Sequence, residues 1–437
     1  MRKIPFIGLL AALMVCGAGN AFAQEETPAK VKVYGFINNY AVFDSRQVDA
    51  GTQDLFFFMP KDIKMSGEVD QNAVPSFRML SLTTRLGVNI SGYQIGETKV
   101  SGIVEGDFYC MSGSTAIARL RQAYMGILWD NLVLGDLLLN VGQTWHPMAV
   151  DMPHVNNVEM GSPFNPFNWS PQIMAHWTVR KFTWTGGILF PMQFLATGPE
   201  GKSIDYNRFG MIPEVYLGVS FASGGFLGKA GVDLFTSKPG WVAPTITEVS
   251  LDDRTVNYSR LITKKLETRL FAVSPFVFMQ YTRGKFQVKA KSILAQAGDH
   301  MNLLSGYAPT FNWNRLQLGY TPMQDWASYL SFQYGKKFQF LCMGGYMQRL
   351  GTTKKIFGID DANVRVMWLN NVADIRIQKA FRATPTIAYN LGNLTFSLEY
   401  NCTGGFFGEG TYNMGGLFES GHWVLNHRIQ QMIKFTF

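Results

Sequence analysis

The sequence predicts an all-β protein that closes as a transmembrane antiparallel up-and-down β-barrel of about sixteen strands. Three observations predict it: a period of two in side-chain polarity, an alternation of short turns with long connections, and a C-terminal strand that ends in Phe437. The chain is 47% hydrophobic and only 16% charged, whereas soluble domains are roughly 25% charged. Disorder of the whole chain is excluded, and so is a bundle of membrane helices, because no stretch after residue 23 approaches the roughly 20 apolar residues of a spanning helix.

The N-terminus has the pattern of a cleaved export signal. Two cations precede an apolar run, and Ala21-Phe22-Ala23 forms a small-x-small cleavage site. We therefore expect residues 1–23 to be a signal peptide and residues 24–437 to be the barrel. The formal net charge is +8, but Lys and Arg form no long run, so we expect no binding to nucleic acid.

Side-chain polarity alternates with a period of two in several segments along the chain. In residues 82–91, 285–294 and 374–382, one parity is largely apolar while the other is polar or charged. This is the pattern of strands with one apolar face and one polar face. On another strand, Tyr124 and Trp129 have opposite parities, and we assign Tyr124 to the aromatic belt at the lipid boundary.

Short breaks alternate with long irregular connections between these strands. Turn-forming residues mark the short breaks at 92–96, 130–131, 180–181, 223–225, 283–284, 335–337 and 390–393. The long connections are residues 45–78, 111–116, 144–171, 195–212, 238–262, 299–324, 350–371 and 403–420. Seven short and eight long connections join sixteen strands. This asymmetry is typical of a membrane barrel with short periplasmic turns and long extracellular loops.

The C-terminus separates a membrane barrel from a soluble sandwich of two sheets, whose strands would also alternate. Ile429, Ile433, Phe435 and Phe437 share one parity, and the residues between them are mostly polar. Alternating apolar positions that end in a terminal Phe are typical of the assembly signal of Gram-negative outer-membrane barrels. We therefore predict a membrane barrel in which Ile433, Phe435 and Phe437 form the assembly signal.

The polar parities would line a lumen, which in a barrel of this size is wide enough for water. The inward cations expected from the alternation are Arg85, Arg119, Arg121, Lys289, Lys291, Arg376, Arg382 and Arg428. Fixed positive charge in a narrow aqueous passage attracts anions and repels cations, so we expect a weak preference for anions. The alternative is that these cations pair with inward acids such as Glu105, Asp107 and Asp374 and only stabilise the wall.

The stretch 144–171 follows the fifth strand and is rich in proline and aromatic residues. Prolines fix backbone torsions and lower the entropy lost on ordering, so this stretch can hold one shape. We expect it to fold into the lumen as a constriction loop, lined by Trp145, His146, Asp151 and His154. The alternative is an ordinary extracellular loop.

Neither a metal site nor a catalytic site is predicted from the sequence. The two histidines and two acids between His146 and Glu159 have no spacing typical of metal ligands. A lipase-type enzyme could use His422 or His427 as a base, but the chain contains no Gly-x-Ser-x-Gly elbow. We therefore expect no enzyme activity and no cofactor.

Several stretches of the chain together resemble the DcaP-like trimeric porins of Gram-negative bacteria. They are Arg119-Leu120-Arg121-Gln122-Ala123-Tyr124, Leu134-Gly135, Val141-Gly142-Gln143-Thr144-Trp145 and the terminal Phe437. The resemblance implies a sixteen-stranded barrel, a homotrimer, a constriction loop after the fifth strand, and inward arginines that attract small carboxylates. Carried over to this chain, Arg119 and Arg121 would line the eyelet and Trp145 would open the constriction loop. The N-terminal helical segment of that family has no counterpart between Glu25 and Lys30.

Taken together, the sequence predicts an outer-membrane porin for passive diffusion of small hydrophilic solutes. Its expected partners are outer-membrane lipid and lipopolysaccharide, the barrel-assembly machinery at the C-terminal strand, and two further copies of the chain in a homotrimer. Other functions stay open at this stage: a surface adhesin or partner platform with a plugged lumen, and an outer-membrane lipase-type enzyme. A narrow channel for hydrophobic substrates would need an apolar interior instead of rows of Arg and Lys.

Overall fold

The computed structural model describes residues 29–51, 53, 55–112, 115–132, 134–199, 201–240, 242–246, 261–265, 268–312, 317–357 and 374–437. Residues 1–23, where a signal peptide is predicted, lie outside the described residues. Sixteen antiparallel strands form one closed barrel, which confirms the predicted fold class. The strands are β1 (Lys30–Asp44), β2 (Arg85–Ile95), β3 (Thr98–Ser112), β4 (Thr115–Leu132), β5 (Gly135–Trp145), β6 (Trp169–Val179), β7 (Phe182–Leu189), β8 (Glu214–Ser223), β9 (Phe226–Ser237), β10 (Leu270–Arg283), β11 (Phe286–Gln296), β12 (Gln317–Gly335), β13 (Phe338–Thr352), β14 (Ile377–Leu391), β15 (Leu394–Glu409) and β16 (Ser420–Thr436).

The barrel closes between its first and last strands. β1 and β16 pair in antiparallel register, from Phe36 opposite Thr436 to Asp44 opposite Arg428. The backbone amides of Gly35 and Phe437 each donate to the carbonyl oxygen of the other residue at 3.0 Å. The C-terminal strand therefore seals the sheet, and closure removes the unpaired edges that an open sheet would present.

The two ends of the barrel differ as the sequence predicts. Tight turns join neighbouring strands at one end, for example at residues 180–181 between β6 and β7 and at residues 224–225 between β8 and β9. Longer connections lie at the other end. The prediction of a long connection at residues 111–116 is wrong, because β3 and β4 stay paired up to Ser112 and Thr115.

Short elements occupy the long connections. Two-stranded ribbons form between Val48–Gly51 and Phe56–Pro60, Met65–Ser66 and Val69–Asp70, Thr197–Gly198 and Gly201–Lys202, and Val242–Ile246 and Leu261–Lys265. Two further short strands, Ser76–Leu80 and Tyr307–Asn312, extend the wall by pairing with β1 and β12. Helical turns are α1 (Asp205–Arg208) and a 3-10 helix (Gly298–Met301). Among the described residues, no helix combines the length and the apolar character needed to cross a bilayer.

The two faces of the wall have opposite polarity. In β16, Leu425 and Ile429 are exposed on the outer face, whereas Asn426 and Arg428 are fully buried on the inner face. Large exposed hydrophobic side chains are found on strands around the whole barrel. A continuous apolar outer face and a polar inner face are the surfaces that a barrel presents to lipid and to water.

Register shifts break the period of two in several strands, and those in β4 and β14 change which side chains face the lumen. In β4, a register shift at Arg121 places both Arg121 and Gln122 inside, where they donate to Glu105. Beyond the shift, Tyr124 lines an inner cavity, so its assignment to the lipid belt is wrong. A second shift in β14 buries Ile377 on the inner side, although the alternation predicts an outward position. A bulge adds one residue to one strand, and the parity of the residues beyond it is inverted.

Replacing an outward apolar residue by lysine tests the lipid-facing assignment. Val277, central in β10 and 52% exposed, is the test position, and Leu134, 88% exposed at a turn, is the matched control. A lysine on the lipid face costs roughly 2–4 kcal/mol at the bilayer midplane and at most about 1 kcal/mol near the interface. V277K should therefore lower the free energy of unfolding in lipid vesicles, measured by urea titration, more than L134K does. Equal losses for the two variants would contradict the outward assignment.

Candidate functional site

The connection between β5 and β6 folds into the barrel instead of projecting from it. We call residues 146–168 the infolded loop. Its Asp151 carboxylate accepts a hydrogen bond from Lys229 of β9 at 2.5 Å, and its Glu159 carboxylate accepts one from Arg382 of β14 at 2.6 Å. Because β14 lies half-way around the sixteen-stranded ring from β6, the infolded loop crosses the lumen.

The backbone of the infolded loop is also attached to the wall. The amide of His154 donates to the Ser331 hydroxyl of β12 at 2.8 Å, and the amide of Asn156 donates to the Glu399 carboxylate of β15 at 2.6 Å. Backbone groups removed from water need partners of this kind. Inward polar side chains of the wall therefore replace the water that the loop loses.

Two lysines of β11 also donate hydrogen bonds to the infolded loop. Lys289 donates to the carbonyl oxygen of Met152 at 2.9 Å. Lys291 is buried and donates to the carbonyl oxygen of Met148 and, at 2.9 Å, to the side-chain oxygen of Asn165. Both lysines, which the sequence predicts to face the lumen, thus contact the infolded loop directly.

Aromatic packing holds the ends and the middle of the infolded loop. Trp145 and Trp169, the last residue of β5 and the first of β6, meet edge to face with ring centroids 5.1 Å apart. Phe167 packs on Trp169 at the same centroid distance, 5.1 Å. In the middle, Phe164 lies over Gly345 of β13, where a Cβ atom would come within 2.5 Å of the ring. Glycine at this position therefore leaves the space that the loop occupies.

A second segment, residues 297–306 between β11 and β12, packs on the infolded loop. The amide of Phe167 donates to the carbonyl oxygen of Met301 at 2.8 Å, and the side-chain amide of Asn302 donates to the carbonyl oxygen of Phe167 at 2.6 Å. The Ser162 hydroxyl donates to the carbonyl oxygen of Asn302 at 2.9 Å. The two segments therefore hold each other inside the barrel.

Three of the predicted inward arginines meet two carboxylates on β2, β3 and β4. Arg121 donates to Glu105 and to Asp107 at 3.0 Å each, and Arg119 donates to Asp107 at 2.7 Å. Arg85 lies 3.6 Å from Glu105. The guanidinium groups of Arg119 and Arg121 also lie over the ring of the first tryptophan of β6, 4.9 and 4.4 Å from its centre. This arginine cluster carries one more positive charge than its two acids neutralise.

The remaining predicted cations are also paired with acids. Arg428 and Asp44 form a fully buried pair at 2.8 Å. Arg376 precedes β14, at the end of the barrel where the long connections lie, and pairs with Asp62 and with Asp374 at 2.7 Å each. These inward cations therefore form ion pairs within the wall. This pairing is the arrangement that the sequence analysis gives as the alternative to a lumen lined by free cations.

A cavity of about 390 Å³ lies on the inner side of strands β4 to β9. Its lining includes the amides of Gln122 and Asn140, the hydroxyls of Tyr124 and Thr185, and the ammonium group of Lys229. Polar groups of this kind can exchange hydrogen bonds with water or with a hydrated solute. The cavity therefore extends the polar lumen beside the infolded loop.

The histidine at the start of the infolded loop has partners that sequence reasoning did not identify. His146 Nε2 contacts Glu214 Oε1 at 2.8 Å and lies 3.6 Å from Asp233 Oδ1. His300 Nε2 lies 3.2 Å from the same Glu214 oxygen. These partners come from β8, β9 and the second segment, so no spacing in the sequence connects them to His146. The other acids weighed as ligands with His146 bind basic residues of the wall instead.

The predicted assembly residues are exposed near the end of the C-terminal strand. Ile433, Phe435 and Phe437 have exposed side chains, and the first two lie on the outer face of β16. His427 also faces outward, and its Nδ1 lies 2.7 Å from the hydroxyl of Tyr400. This histidine, weighed as a catalytic base, therefore lies on the lipid side of the wall.

Comparison with solved structures shows the fold of the outer-membrane porins. The outer membrane channel DcaP of Acinetobacter baumannii matches with a TM-score of 0.62 and 15% identity, over 94% of this chain and 97% of that chain. The anion-selective porin from Comamonas acidovorans matches with a TM-score of 0.51 and 9% identity, over 94% and 100%. The trimer form of OmpT, an outer membrane protein of Vibrio cholerae, matches with a TM-score of 0.50 and 12% identity, over 94% and 99%. No protein-family model and no curated protein matches the chain.

These matches confirm the fold that the resemblance in the sequence implies. The fold and the apolar outer face together indicate an integral β-barrel of the outer membrane. At these levels of identity the matches describe the fold alone. What passes through the barrel has to be argued from its own side chains.

Valine at position 345 tests how firmly the infolded loop rests on the wall. G345V should displace the loop, because the new side chain would overlap the ring of Phe164. Overpacking typically destabilises a packed site by about 1–3 kcal/mol, so the detached state of the loop becomes more populated. When detachment of the loop is rapid relative to cleavage, chymotrypsin should therefore cleave the loop roughly tenfold faster or more. The matched control is G344V, because a Cβ atom on Gly344 meets nothing within 4 Å. Equal cleavage rates in the two variants would mean that Phe164 does not hold the loop.

His154 should make the attachment of the infolded loop depend on pH. Burial first, and then the positive charge of Lys289, lower the pKa of His154 from its ordinary 6.5 to about 4. A lowered pKa means that the folded state prefers the neutral ring, so the attachment is strongest above about pH 6.5 and weakens as the pH falls toward about 4. H154Q should remove this part of the dependence, measured as the urea unfolding midpoint at about pH 7 and about pH 4.5. An identical fall in wild type and H154Q would contradict the assignment.

Proposed function

We propose that this protein is a passive outer-membrane channel for small hydrophilic solutes. One observation carries the proposal: the infolded loop crosses the polar lumen of a sixteen-stranded barrel whose outer face is apolar. A polar wall of this kind admits water, and a loop held inside it limits the width of the passage. The mechanism is sieving by the infolded loop, modified by the charges of the wall.

We further propose a weak preference for anions such as small carboxylates. The arginine cluster of β2 to β4 carries one positive charge in excess of its acids. On the other side of the infolded loop, Lys229, Lys289 and Lys291 face one carboxylate, that of Asp151. Excess positive charge along a passage with low-dielectric walls raises the local concentration of anions. The fold is shared with an anion-selective porin of Comamonas acidovorans, so such selectivity is compatible with it.

The assembly that we propose is a homotrimer embedded in outer-membrane lipid and lipopolysaccharide. The apolar outer face fits contact with lipid chains, and the trimer form of Vibrio cholerae OmpT has the same fold. The exposed C-terminal residues Ile433, Phe435 and Phe437 are the proposed contact for the barrel-assembly machinery. Chemical cross-linking of the purified protein in detergent should capture a species of three chains, and a monomer alone would contradict the homotrimer.

Reconstitution into planar lipid bilayers tests the channel itself. The expected result is stepwise conductance that scales with the number of inserted barrels. An adhesin or partner platform with a plugged lumen would insert without conducting. Ester hydrolysis by a non-conducting barrel would favour a lipase-type enzyme instead.

Removal of lumen cations should shift ion selectivity toward cations. R119Q leaves Asp107 paired with Arg121, and K289Q removes the charge of a side chain that donates to a backbone carbonyl, so neither leaves a carboxylate alone. A unit charge about 8 Å from a passing ion contributes about 0.2–0.5 kcal/mol in water with salt. The two charges together contribute about 0.4–1.0 kcal/mol, with opposite sign for an anion and a cation. The double variant should therefore lower the anion-to-cation permeability ratio by roughly fourfold or more, measured from the reversal potential in a salt gradient.

The matched control for this measurement is K99Q. Lys99 is exposed beside Asp130 near the turn end of the barrel, away from the lumen clusters. This substitution removes the same charge but should leave the reversal potential almost unchanged. If K99Q shifts the potential as much as the double variant, the lumen cations do not set the selectivity.

A further inference from the structure

A buried cluster of histidine and acidic side chains lies where the infolded loop meets the wall. His146 is the first residue of the loop, Glu214 is the first residue of β8, and Asp233 lies on β9. All three side chains are shielded completely from solvent. His146 Nε2 lies 2.8 Å from Glu214 Oε1 and 3.6 Å from Asp233 Oδ1.

Most carboxylate oxygens of the cluster make no hydrogen bond. Glu214 Oε1 faces His146 Nε2 and, at 3.2 Å, His300 Nε2. In contrast, Glu214 Oε2 and both carboxylate oxygens of Asp233 are buried without any hydrogen bond. Buried carboxylate oxygens are normally hydrogen-bonded, paired with a cation or bound to a metal. The cluster therefore has three buried carboxylate oxygens that make no hydrogen bond.

Hydrogen bonds to the backbone orient the two imidazole rings of the cluster. The amide of Met148 donates to His146 Nδ1 at 3.1 Å, and His146 Nε2 faces the two carboxylates. His300 Nδ1 lies 3.1 Å from the carbonyl oxygen of Ala297 and donates to it, so its Nε2 faces Glu214. The nearest cluster partner of Asp233 is His146 Nε2, at 3.6 Å and beyond hydrogen-bond distance.

We propose that His146, Glu214 and Asp233 bind one divalent transition-metal ion of the zinc class. Their ligand atoms all lie within 4.8 Å of one another. Ligands of a tetrahedral zinc site are separated by roughly 3.3–3.5 Å, and the observed 2.8 and 3.6 Å bracket this value. An imidazole beside two carboxylates favours zinc, iron or manganese over magnesium and calcium, which prefer oxygen ligands alone.

Metal binding requires only a small rearrangement of the cluster. The hydrogen on His146 Nε2 moves to Nδ1, so that Nε2 can coordinate, and the Met148 amide gives up its hydrogen bond to the ring. In the metal-bound site both carboxylates are ionised, any proton held by Asp233 is released to solvent, and the charge of the ion balances the two acids. His300 supports the site from outside, because its Nδ1 donates to a backbone carbonyl and its Nε2 contacts Glu214; residues that orient metal ligands commonly make such contacts.

The site would fasten the infolded loop to two strands at once. It connects the first residue of the loop to β8 and β9, and through Glu214 and His300 it also touches the second segment. Its role is structural and is separate from conduction, so it can be tested on the folded barrel without measuring a current.

The test is metal retention by the full chain purified in detergent micelles. The protein is stripped with a chelator, equilibrated with zinc chloride, separated from unbound metal and analysed by mass spectrometry for metals. Wild type should retain about one zinc per chain. D233N and E214Q should each bind zinc at least about tenfold more weakly, since each removes a charged ligand.

The matched control is D325N. Asp325 on β12 is also a buried carboxylate whose two oxygens lack hydrogen bonds, but it lies outside the cluster. D325N should retain zinc like wild type, and zinc should raise the thermal unfolding midpoint of wild type and D325N but not of D233N. Failure of wild type to retain zinc, or equal retention by D233N and E214Q, would overturn the proposal.

Cobalt provides a second measurement that does not depend on whether the variants fold. Co²⁺ in place of zinc should give wild type the strong visible absorption of a low-symmetry site with nitrogen and oxygen ligands. Zinc should displace this absorption in proportion to the amount added. If cobalt-treated wild type shows only the weak spectrum of the hydrated ion, the three residues do not form a metal site.

Discussion

A loop that enters a barrel takes its backbone groups and charges out of water, and each of them needs a partner on the wall. Here the wall provides such partners far apart around the ring, with Lys229 binding Asp151 and Arg382 binding Glu159. The Arg382–Glu159 pair is fully buried. Loss of one member of such a pair leaves the other charge unpaired, which typically costs about 3–5 kcal/mol. The position of the infolded loop, and with it the shape of the lumen, depends on these pairs.

The same charges limit how selective the lumen can be. A cation that is paired with a carboxylate presents a passing ion with a dipole, whose field falls off faster than that of a free charge. Arg121 lies between Glu105 and Asp107, so a solute beside it meets the net charge of the whole cluster and not that of three arginines. Salt screens this field over about 10 Å at 0.1 M. A wall built to hold a loop therefore allows only a weak preference among ions.

The sequence pattern predicts the features of the fold that are periodic, but it carries no signal for single bulges or for contacts between distant parts of the chain. The period of two and the spacing of turns predict the barrel. Arg382 and Arg428, which the same pattern assigns to the inner face, have buried side chains in ion pairs. The pattern does not reveal the bulge at Arg121. Because of this bulge, Tyr124 faces the lumen and not the lipid. The contacts of His146 could not be predicted either, because Glu214 lies 68 positions away in the sequence.

The start of the infolded loop combines two attachments with different physical properties. The packing of Trp145 on Trp169 is apolar and does not depend on bound ions. The strength of the attachment at the cluster around His146 would depend on a bound metal. An ion that binds only when the loop is attached stabilises the attached state by its binding free energy. The ion pairs of Asp151 and Glu159 farther along would still hold the loop when the metal is removed. Metal loss would therefore loosen the loop at its beginning while the rest stays in the lumen.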